Sequence, residues 1–295
     1  MKTNSVRGRV RRRIILPVIG AALAAIAMTA WAGYREAGQT PIVVRYRLQL
    51  ATPLARPLHI VLMSDTHAGR PDMPPARLMS IVEQANALQP DLILLAGDYV
   101  KRAPFGLSEI PPEQAIAALG RLRARLGVVA VLGNNDCQGH RGNMIAGLLE
   151  RAGVRLLRNQ ALLLPGVAVL GTDDIIHCNG NMGPAKIDFA RQLRQRGLKQ
   201  WPGPVILLTH EPVMSRYAPP YADLAVAGHT HGGQMFPALT GPIVARGTRS
   251  PAVRGLMTVI AEKRRVPLII TSGVGTNNLP LRIGVPPEIV LLTLR

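Results

Sequence analysis

The sequence predicts an α/β fold built in layers. From residue 41 onward, short apolar runs rich in Val, Ile and Leu recur, which is typical of buried strands. Amphipathic patterns with helical spacing lie between some of these runs, and strands that alternate with helices indicate an α/β architecture. The later runs have fewer helical patterns between them, so we expect part of the sheet system to be mixed or antiparallel.

Composition narrows the class of protein. The 295 residues are 47% hydrophobic and 18% charged, which supports a substantial core and excludes wholesale disorder. Two cysteines are too few for a disulfide-rich framework or a four-thiolate zinc site. The net charge is +18, but only 3% of the residues are aromatic, so few rings are available to stack on bases. The sequence therefore favours anionic lipid or an anionic substrate over nucleic acid as the binding partner that this positive charge attracts.

Residues 1–33 form a distinct N-terminal segment. They contain six basic side chains and no acid, and residues 14–32 are an uncharged run of 19 residues, near the ~20 that a spanning helix needs. The small residues Ala30-Trp31-Ala32 complete the pattern of an export signal, and Arg12-Arg13 resembles a twin-arginine signal. The pattern fits a cleaved signal peptide and a retained inner-membrane anchor equally. Either one puts residues 41–295 on the extracytoplasmic side.

Residues 41–295 are expected to form one domain, because no low-complexity linker divides them. The apolar runs in this part of the chain are short enough to be buried strands rather than helices. In chain order, the predicted strands are 42–50, 58–63, 92–96, 128–132, 161–164, 166–170, 204–209, 223–227, 267–271 and 288–294.

Four helices are predicted between these strands. Pro74-Pro75 opens the first, in which Leu78, Ile81 and Leu88 lie on one face. Residues 236–266 contain Pro, Gly and five Arg and are expected to form a long irregular excursion. The other three helices are predicted at 112–126, 143–152 and 185–196.

Polar residues collect at the ends of five predicted strands. Ligands of open α/β sheets bind at the carboxyl ends of the strands, so these residues are expected to share one rim. Imidazole together with carboxylate suits Zn, Mn or Fe(II). The set exceeds what one tetrahedral ion takes and suffices for two ions that share a carboxylate, a clamp suited to phosphoryl displacement. The predicted metal ligands are Asp65, His67, Asp98, Asn134, His210, His229 and His231.

Each motif alone also has an ordinary structural explanation. An Asp-x-His or a Gly-Asp after a strand is usually only a turn, and a single histidine such as His210 is more often a hydrogen-bonded core residue than a ligand. The run Gly228-His-Thr-His-Gly-Gly233 is more specific, because histidines at i and i+2 in a glycine-bracketed loop can face one centre. The five motifs together, in this order and each at the end of a strand, favour the metal site.

This order of motifs resembles the calcineurin-like metallophosphoesterases, whose pattern is D-x-H, GD, GN-H-D/E, H and GH-x-H. The resemblance covers about residues 58–295, and GHTHGGQ at 228–234 is similar to the exported or membrane-associated bacterial phosphodiesterase branch. It implies a four-layer αββα sandwich with two divalent metals at the strand ends, their identity as Mn, Zn or Fe being left open. One metal would take Asp65, His67, Asp98 and His231, and the other would take Asp98, Asn134, His210 and His229.

The sequence departs from the family pattern at position 135. The family usually has a histidine there, which the following acid holds and which protonates the leaving oxygen or binds the phosphoryl group. Asn135 can donate a hydrogen bond but cannot give up a proton, and a general acid contributes about 10²–10⁴ in rate. We take Asn135, Asp136 and His140 as the candidate catalytic residues, with His140 or His177 as a replacement acid and surface exposure of both as the alternative.

The two cysteines border the same motifs. Cys137 follows Asp136, and Cys178 follows an Asp-Asp-Ile-Ile-His run. A disulfide between them fits an extracytoplasmic location, and two inert thiols are the alternative.

The sequence therefore predicts a dinuclear-metal-dependent phosphoesterase. Its expected targets are phosphodiester or pyrophosphate bonds of a small-molecule or lipid-linked substrate associated with the membrane or envelope. A UDP-2,3-diacylglucosamine-type pyrophosphate is a specific alternative within the branch, although that chemistry is cytoplasmic and the N-terminal segment indicates export. A non-catalytic, metal-bearing envelope protein that binds anionic lipid or polymer is the alternative from another class, and Asn135 is its only support.

Overall fold

The computed structural model describes residues 4–50, 54, 56–101, 110–235 and 253–295, with secondary structure alone for 4–15. Helices and strands alternate through the first half of these residues, and strands dominate the second. The helices are α1 (Asn4–Ala37), α2 (Pro75–Ala87), α3 (Pro112–Leu119), α4 (Asn134–Cys137), α5 (Gly142–Arg151) and α6 (Met182–Gln195). The strands are β1 (Ile42–Leu48), β2 (Leu58–Met63), β3 (Leu92–Leu95), β4 (Val128–Ala130), β5 (Arg155–Leu156), β6 (Gln160–Leu164), β7 (Val167–Gly171), β8 (Val205–Leu208), β9 (Leu224–Ala227), β10 (Gly255–Ala261), β11 (Arg264–Ile270) and β12 (Glu288–Leu294).

Helix α1 carries the apolar N-terminal run. Within the described residues, it is the one helix long and apolar enough to cross a membrane, over Leu16–Ala37, with a mean hydropathy of 1.7. Those 22 residues rise about 33 Å, which matches the hydrocarbon thickness of a bilayer. Only 6% of the apolar 18-residue stretch of α1 is buried against the rest of the protein. The helix is continuous past residue 33, where the sequence pattern placed the end of the segment.

Two mixed sheets of six strands each form the body of the protein. The first has the order β1-β12-β2-β3-β4-β5, in which β12 runs antiparallel to β2 and the other pairs are parallel. The second has the order β10-β11-β9-β8-β7-β6, in which the central strands are parallel and both edge strands antiparallel. The expectation of a mixed sheet system is confirmed.

The layers follow from side chains that alternate along each strand. Leu62 and Val129 of the first sheet pack with Val169 and Ile206 of the second in a core between the sheets. On the outer faces, residues such as Val61 pack under α2, α3 and α5, and Leu207 and its neighbours pack under α6. Because both faces of the central strands are covered, these strands are apolar along their whole length. The resulting helix–sheet–sheet–helix order confirms the predicted four-layer αββα sandwich.

Three elements differ from the sequence prediction. Helix α3 ends at Leu119 rather than 126, and the two-residue strand β5 is too short to give a pattern. Of the predicted irregular excursion 236–266, residues 236–252 lie outside the described part of the chain, and the expectation is wrong for the rest. Strands β10 and β11 form a hairpin there, joined by Glu262 and Lys263 at φ of 46° and 66°. Two-residue turns of this kind usually contain Asn or Gly, so the Glu-Lys pair gave no turn signal.

Candidate metal centre

Five strand ends from the two sheets meet at one rim. The first sheet provides the loops after β2, β3 and β4, and the second sheet provides the loops after β8 and β9. Within each group the strands are parallel neighbours, so their carboxyl ends lie side by side. All seven predicted ligands sit on these loops, and the structure brings them together in two adjoining clusters.

The first cluster contains Asp65, His67, His231 and one oxygen of Asp98. The Nε2 atoms of His67 and His231 are 3.0 Å apart. Asp65 Oδ1 lies 3.3 Å from His231 Nε2 and 3.9 Å from His67 Nε2, and Asp98 Oδ2 lies 3.4 Å from His67 Nε2. Four potential ligand atoms from three loops therefore surround one point.

The second cluster contains Asn134, His210, His229 and the same oxygen of Asp98. Asn134 Oδ1 lies 3.1 Å from His210 Nε2 and 3.0 Å from His229 Nδ1, and these two nitrogens are 3.1 Å apart. Asp98 Oδ2 is 3.5 Å from His210 Nε2. The other ring nitrogen of His210 lies 2.7 Å from the main-chain oxygen of Ala96, which leaves Nε2 free to face the cluster.

The donor sets fit divalent metal ions. Bonds of about 2.0–2.2 Å to one ion hold ligand atoms about 3.0–3.6 Å apart. All the distances between ligand atoms given above lie in this range except the 3.9 Å between Asp65 Oδ1 and His67 Nε2. Asp65 Oδ1 is buried and accepts no hydrogen bond in the described residues, a costly state for a carboxylate oxygen unless a cation satisfies it. Imidazole, carboxylate and amide oxygen together suit Mn, Fe or Zn.

The protonation states of three of the four histidines also suit metal binding. Burial lowers the pKa of His67 and of His229 to about 4, and burial lowers the pKa of His231 well below its ordinary value. These three rings are therefore neutral at pH 7, with a lone pair available to a metal. Burial would also lower the pKa of His210, but the facing Asp98 raises it well above its ordinary value. Burial would raise the pKa of Asp98, and His210, His67 and Asn135 lower it instead.

The backbone is strained at the same residues. Five of the seven predicted ligands have left-handed backbone conformations, with φ between 40° at His67 and 71° at His229. A residue other than glycine in this region costs about 1–3 kcal/mol. Strain of this kind persists only where the surrounding structure enforces it, and it concentrates at functional sites. The other three such ligands are Asp65 (54°), Asp98 (59°) and His231 (51°).

Two motif glycines permit the close approach of the loops. A Cβ atom on Gly133 would lie 2.2 Å from Asp98 Oδ1, and a Cβ atom on Gly228 would lie 1.9 Å from Ser64 Oγ. Both distances are far below van der Waals contact, so any side chain at either position would separate the loops that carry the ligands.

The candidate catalytic residues fall into two groups. Asn135 and Asp136 are buried at the rim, and both contact the Asp98 loop. Asn135 donates to both oxygens of Asp98. The Asp136 carboxylate accepts hydrogen bonds from the main-chain N–H groups of Asp98, Tyr99 and Gly133, so it fixes the backbone of this loop and is not directed at the side chain of residue 135. His140 is exposed on the turn after α4, at a φ of 61°, and makes no hydrogen bond in the described residues.

A disulfide joins Cys137 and Cys178, with their Cα atoms 5.7 Å apart. Of the two alternatives left open by the sequence, pairing is the one found. The bond fastens the end of α4, which begins at Asn134, to the loop after β7. His177 in that loop is exposed.

Two buried carboxyl groups, one in the loop after β7 and one in the loop after β8, were not predicted from the sequence. Asp174 and Glu211 are both buried, and Glu211 directly follows His210. Burial raises the pKa of Glu211 well above its ordinary value, and the facing carboxyl of Asp174 adds to the rise. Acidic residues next to a motif gave no signal of their own, because most such residues are exposed.

Arg282 is the other residue whose role was missed. Its side chain is fully buried and donates to the main-chain oxygens of Ser272, Gly273, Gly275 and Val285. The loop that it holds packs on Asp65, since Gly275 N donates to Asp65 O over 2.8 Å. Arg282 ends the sequence Leu-Pro-Leu-Arg at 279–282, in which nothing indicated that its side chain is buried.

Comparison with known proteins agrees with this geometry. The profile of the calcineurin-like phosphoesterase family matches residues 58–233. A protein of Aquifex aeolicus named an uncharacterized metallophosphoesterase is 30% identical over 82% of this chain and 87% of its own length. A Bos taurus protein named transmembrane protein with metallophosphoesterase domain is 29% identical over 89% of this chain. A Campylobacter jejuni protein named an uncharacterized metallophosphoesterase is 29% identical over 90% of it.

The chain spans 59% of the cattle protein and 66% of the Campylobacter protein. The family match begins at β2 and ends within the Gly-His-Thr-His-Gly-Gly loop, so it contains all five strand ends that form the rim. With that match and the two metal-ligand clusters inside it, this chain belongs to the calcineurin-like phosphoesterases, hydrolases of phosphate esters.

Proposed function

We propose that this protein is a dinuclear-metal-dependent phosphoesterase that hydrolyses phosphodiester or pyrophosphate bonds. The observation that carries the proposal is the position of one oxygen atom. Asp98 Oδ2 lies 3.4 Å from His67 Nε2 in the first cluster and 3.5 Å from His210 Nε2 in the second. A carboxylate oxygen that belongs to both clusters is the arrangement expected of a ligand that bridges two ions.

In this proposal, the seven residues of the two clusters hold the ions. When bound, two divalent ions neutralise charge on the phosphate oxygens and lower the pKa of an attacking water. The chain's own groups fix the geometry around them. Asn135 orients the bridging carboxylate of Asp98, Asp136 fixes the backbone of the same loop, and Ala96 O sets the ring of His210.

The residue at position 135 indicates what kind of leaving group the site can release. Asn135 cannot protonate a departing oxygen, and His140 is exposed and makes no contact with the ligand set among the described hydrogen bonds. A substituted phosphate leaves readily without a proton, whereas an alkoxide does not. This supports a pyrophosphate, or a diester with an acidic leaving group, over a simple alkyl ester as the preferred bond.

Three observations support a membrane-associated protein whose domain, residues 41–295, is extracytoplasmic. The part of α1 over Leu16–Ala37 has the length and hydropathy of a membrane span, and the basic residues of the segment 1–33 precede that part. The Cys137–Cys178 disulfide suits an oxidising compartment. One of the relatives described above is named a transmembrane protein. We therefore propose a substrate of the membrane or envelope.

Hydrolysis of bis-nitrophenyl phosphate by the purified full chain tests the catalytic proposal. We expect turnover with Mn or Zn, loss of turnover with a chelator, and recovery when the metal is restored. Asp98→Asn should abolish turnover, and Asp188→Asn, the same change on the outer helix α6, should not. A correctly folded, metal-loaded chain that binds phosphate without turnover would instead indicate the non-catalytic envelope protein.

A further inference from the structure

The last turn of α1 is attached directly to the domain. Gly33 O accepts a hydrogen bond from Arg282 N over 3.0 Å, and the side chain of Glu36 accepts one from Gly284 N over 3.0 Å. Ala37, the last residue of the helix, is completely buried. The helix therefore ends in the domain rather than in a free linker.

The approach of the helix depends on a small residue. A Cβ atom on Gly33 would lie 3.1 Å from both Arg282 O and Ile283 Cγ1, so a larger side chain would push the helix away. The chain that follows is fastened as well. Arg77 donates to Gln39 O over 2.9 Å, and Gln84 donates to Pro41 O over 2.7 Å.

The segment that receives α1 also supports the metal centre. We name residues 277–283 the rim segment. Arg282, which binds Gly33 through its main chain, holds the loop under Asp65 through its side chain. At its other end, the rim segment accepts two hydrogen bonds from the side chain of Gln234, through the main-chain oxygens of Asn277 and Leu279. Gln234 follows the His229–Gly233 loop. The rim segment therefore lies between α1 and two of the ligand loops, the one that carries Asp65 and the one that carries His229.

Apolar side chains are exposed at this junction. Trp31 and Tyr34 on the end of α1 are 64% and 42% exposed, and Leu279 on the rim segment is 42% exposed. Arg35 lies over the Trp31 ring at 5.4 Å, next to these apolar side chains. Tryptophan and tyrosine with a basic neighbour at the end of an apolar helix are typical of the interface between a bilayer and water.

We propose that α1 is retained in the mature protein and that its last turn and the rim segment together contact the surface of the bilayer. Cleavage at Ala30-Trp31-Ala32 would leave five residues of the helix, too few to stay helical by themselves, and would cut the chain at the residue that binds Arg282. The occupant of the exposed apolar face is the lipid bilayer that α1 spans. The anchor then sets the orientation of the metal centre relative to the membrane, rather than acting as a tether.

The first test is the N-terminus of the mature chain. The full chain with a C-terminal tag is expressed in a bacterium, purified from a detergent extract of whole cells and measured by intact mass. We expect the mass of a chain that retains residues 14–37. A mature chain that begins at Gly33 would overturn the proposal.

The second test is contact with lipid, read by tryptophan fluorescence. The full chain with Trp31→Phe, Trp201→Phe and Leu279→Trp is placed in vesicles of phosphatidylglycerol and phosphatidylcholine brominated near the headgroup. We expect the tryptophan introduced at position 279 to lose about half of its emission or more. The control places Ile187→Trp on the exposed face of α6 in the same background, where we expect no quenching. Equal emission at the two positions would overturn the proposal.

A third variant tests the attachment of α1. Gly33→Leu with Glu36→Ala, added to the Leu279→Trp chain, should release the helix from the rim segment and remove the quenching at position 279. Quenching that persists would show that these contacts do not orient the rim segment. Turnover of bis-nitrophenyl phosphate is measured on the same samples. A chain that is quenched but inactive contradicts the proposed function alone, and one that is active but not quenched contradicts this inference alone.

Discussion

Asn135 binds Asp98 twice. Its main-chain N–H donates to Oδ1 over 2.8 Å and its side-chain Nδ2 donates to Oδ2 over 2.6 Å. Oδ2 is the oxygen that faces both clusters. The residue that stands where the family has a histidine therefore orients the carboxylate on which the proposed dinuclear centre depends.

Removal of this amide should weaken metal binding. We expect Asn135→Ala to lower metal affinity by about 10- to 100-fold, the usual cost of losing a hydrogen bond to a metal ligand. Titration of the metal-depleted protein with Mn or Zn measures it. Asn181→Ala, which removes the amide that caps α6, is the matched control and should leave the affinity unchanged. Equal affinity in wild type and Asn135→Ala would show that the hydrogen bond is not needed.

Asn135→His should change which esters are hydrolysed. A histidine can protonate a departing alkoxide, while a nitrophenolate leaves without a proton. Because Asp136 is occupied by main-chain N–H groups, the new ring has no acid to hold it, and the gain should stay below the ~10²–10⁴ of a positioned acid. We expect the ratio of kcat/KM for alkyl over nitrophenyl diesters to rise. An unchanged ratio would mean that position 135 does not control proton donation.

The number of ions bound per chain should show whether Asp98 is a ligand of both. Elemental analysis of chain loaded with Mn or Zn should find two ions, because the two clusters have separate ligands apart from Asp98. Asp98→Asn should lose both ions, and His67→Ala should lose mainly the one in its own cluster. One ion in the wild type, or the same content in both variants, would contradict the bridging role of Asp98.

Reduction of the Cys137–Cys178 bond should destabilise the fold. The bond closes a loop with a sequence separation of 41 residues, for which loop entropy predicts about 3–4 kcal/mol. Denaturant unfolding of oxidised and reduced protein measures the loss, and a Cys137→Ser/Cys178→Ser double variant should match the reduced form. Metal affinity should fall as well, since Cys137 ends the helix that begins at Asn134. Identical midpoints for the two redox states would refute this.

Asp188→Asn should give a pH-dependent loss of stability without loss of activity. Burial would raise the pKa of Asp188, but the N–H of Ala161, Arg191 and Gln192 lower it below its ordinary value. A lowered pKa stabilises the folded state above the pKa of the unfolded chain, and the contribution disappears as pH falls through the folded pKa. We expect the variant to lose about 1 kcal/mol at pH 7. The difference should shrink as the pH falls below the ordinary pKa of an aspartate and the carboxylate of Asp188 is protonated, as thermal unfolding across pH would show.

The strands and the clustering of the seven proposed ligands were predictable because each depends on a local pattern. Asp65, Asp98 and His210 directly follow apolar runs, and parallel strands bring such ends together without further information. The remaining features depend on contacts distant in sequence. Asp136 binds the backbone of residues 98 and 99, and Arg282 is buried among carbonyl oxygens. The sequence around each of these two residues does not identify the partners of its side chain. The attachment of Gly33 to the rim segment spans about 250 positions of the chain.

The ligands of each cluster come from both sheets, and this links metal choice to biosynthesis. Asp65, Asp98 and Asn134 belong to the first sheet, and the histidines after β8 and β9 belong to the second. Neither cluster is complete until the two sheets have packed, because even the first cluster, with Asp65, His67 and Asp98 on the first sheet, needs His231 from the second. The donor set accepts Mn, Fe and Zn alike, and such sites take what is available. If the proposed centre is loaded as the chain folds, we expect the compartment in which folding is completed to determine which of these metals is bound.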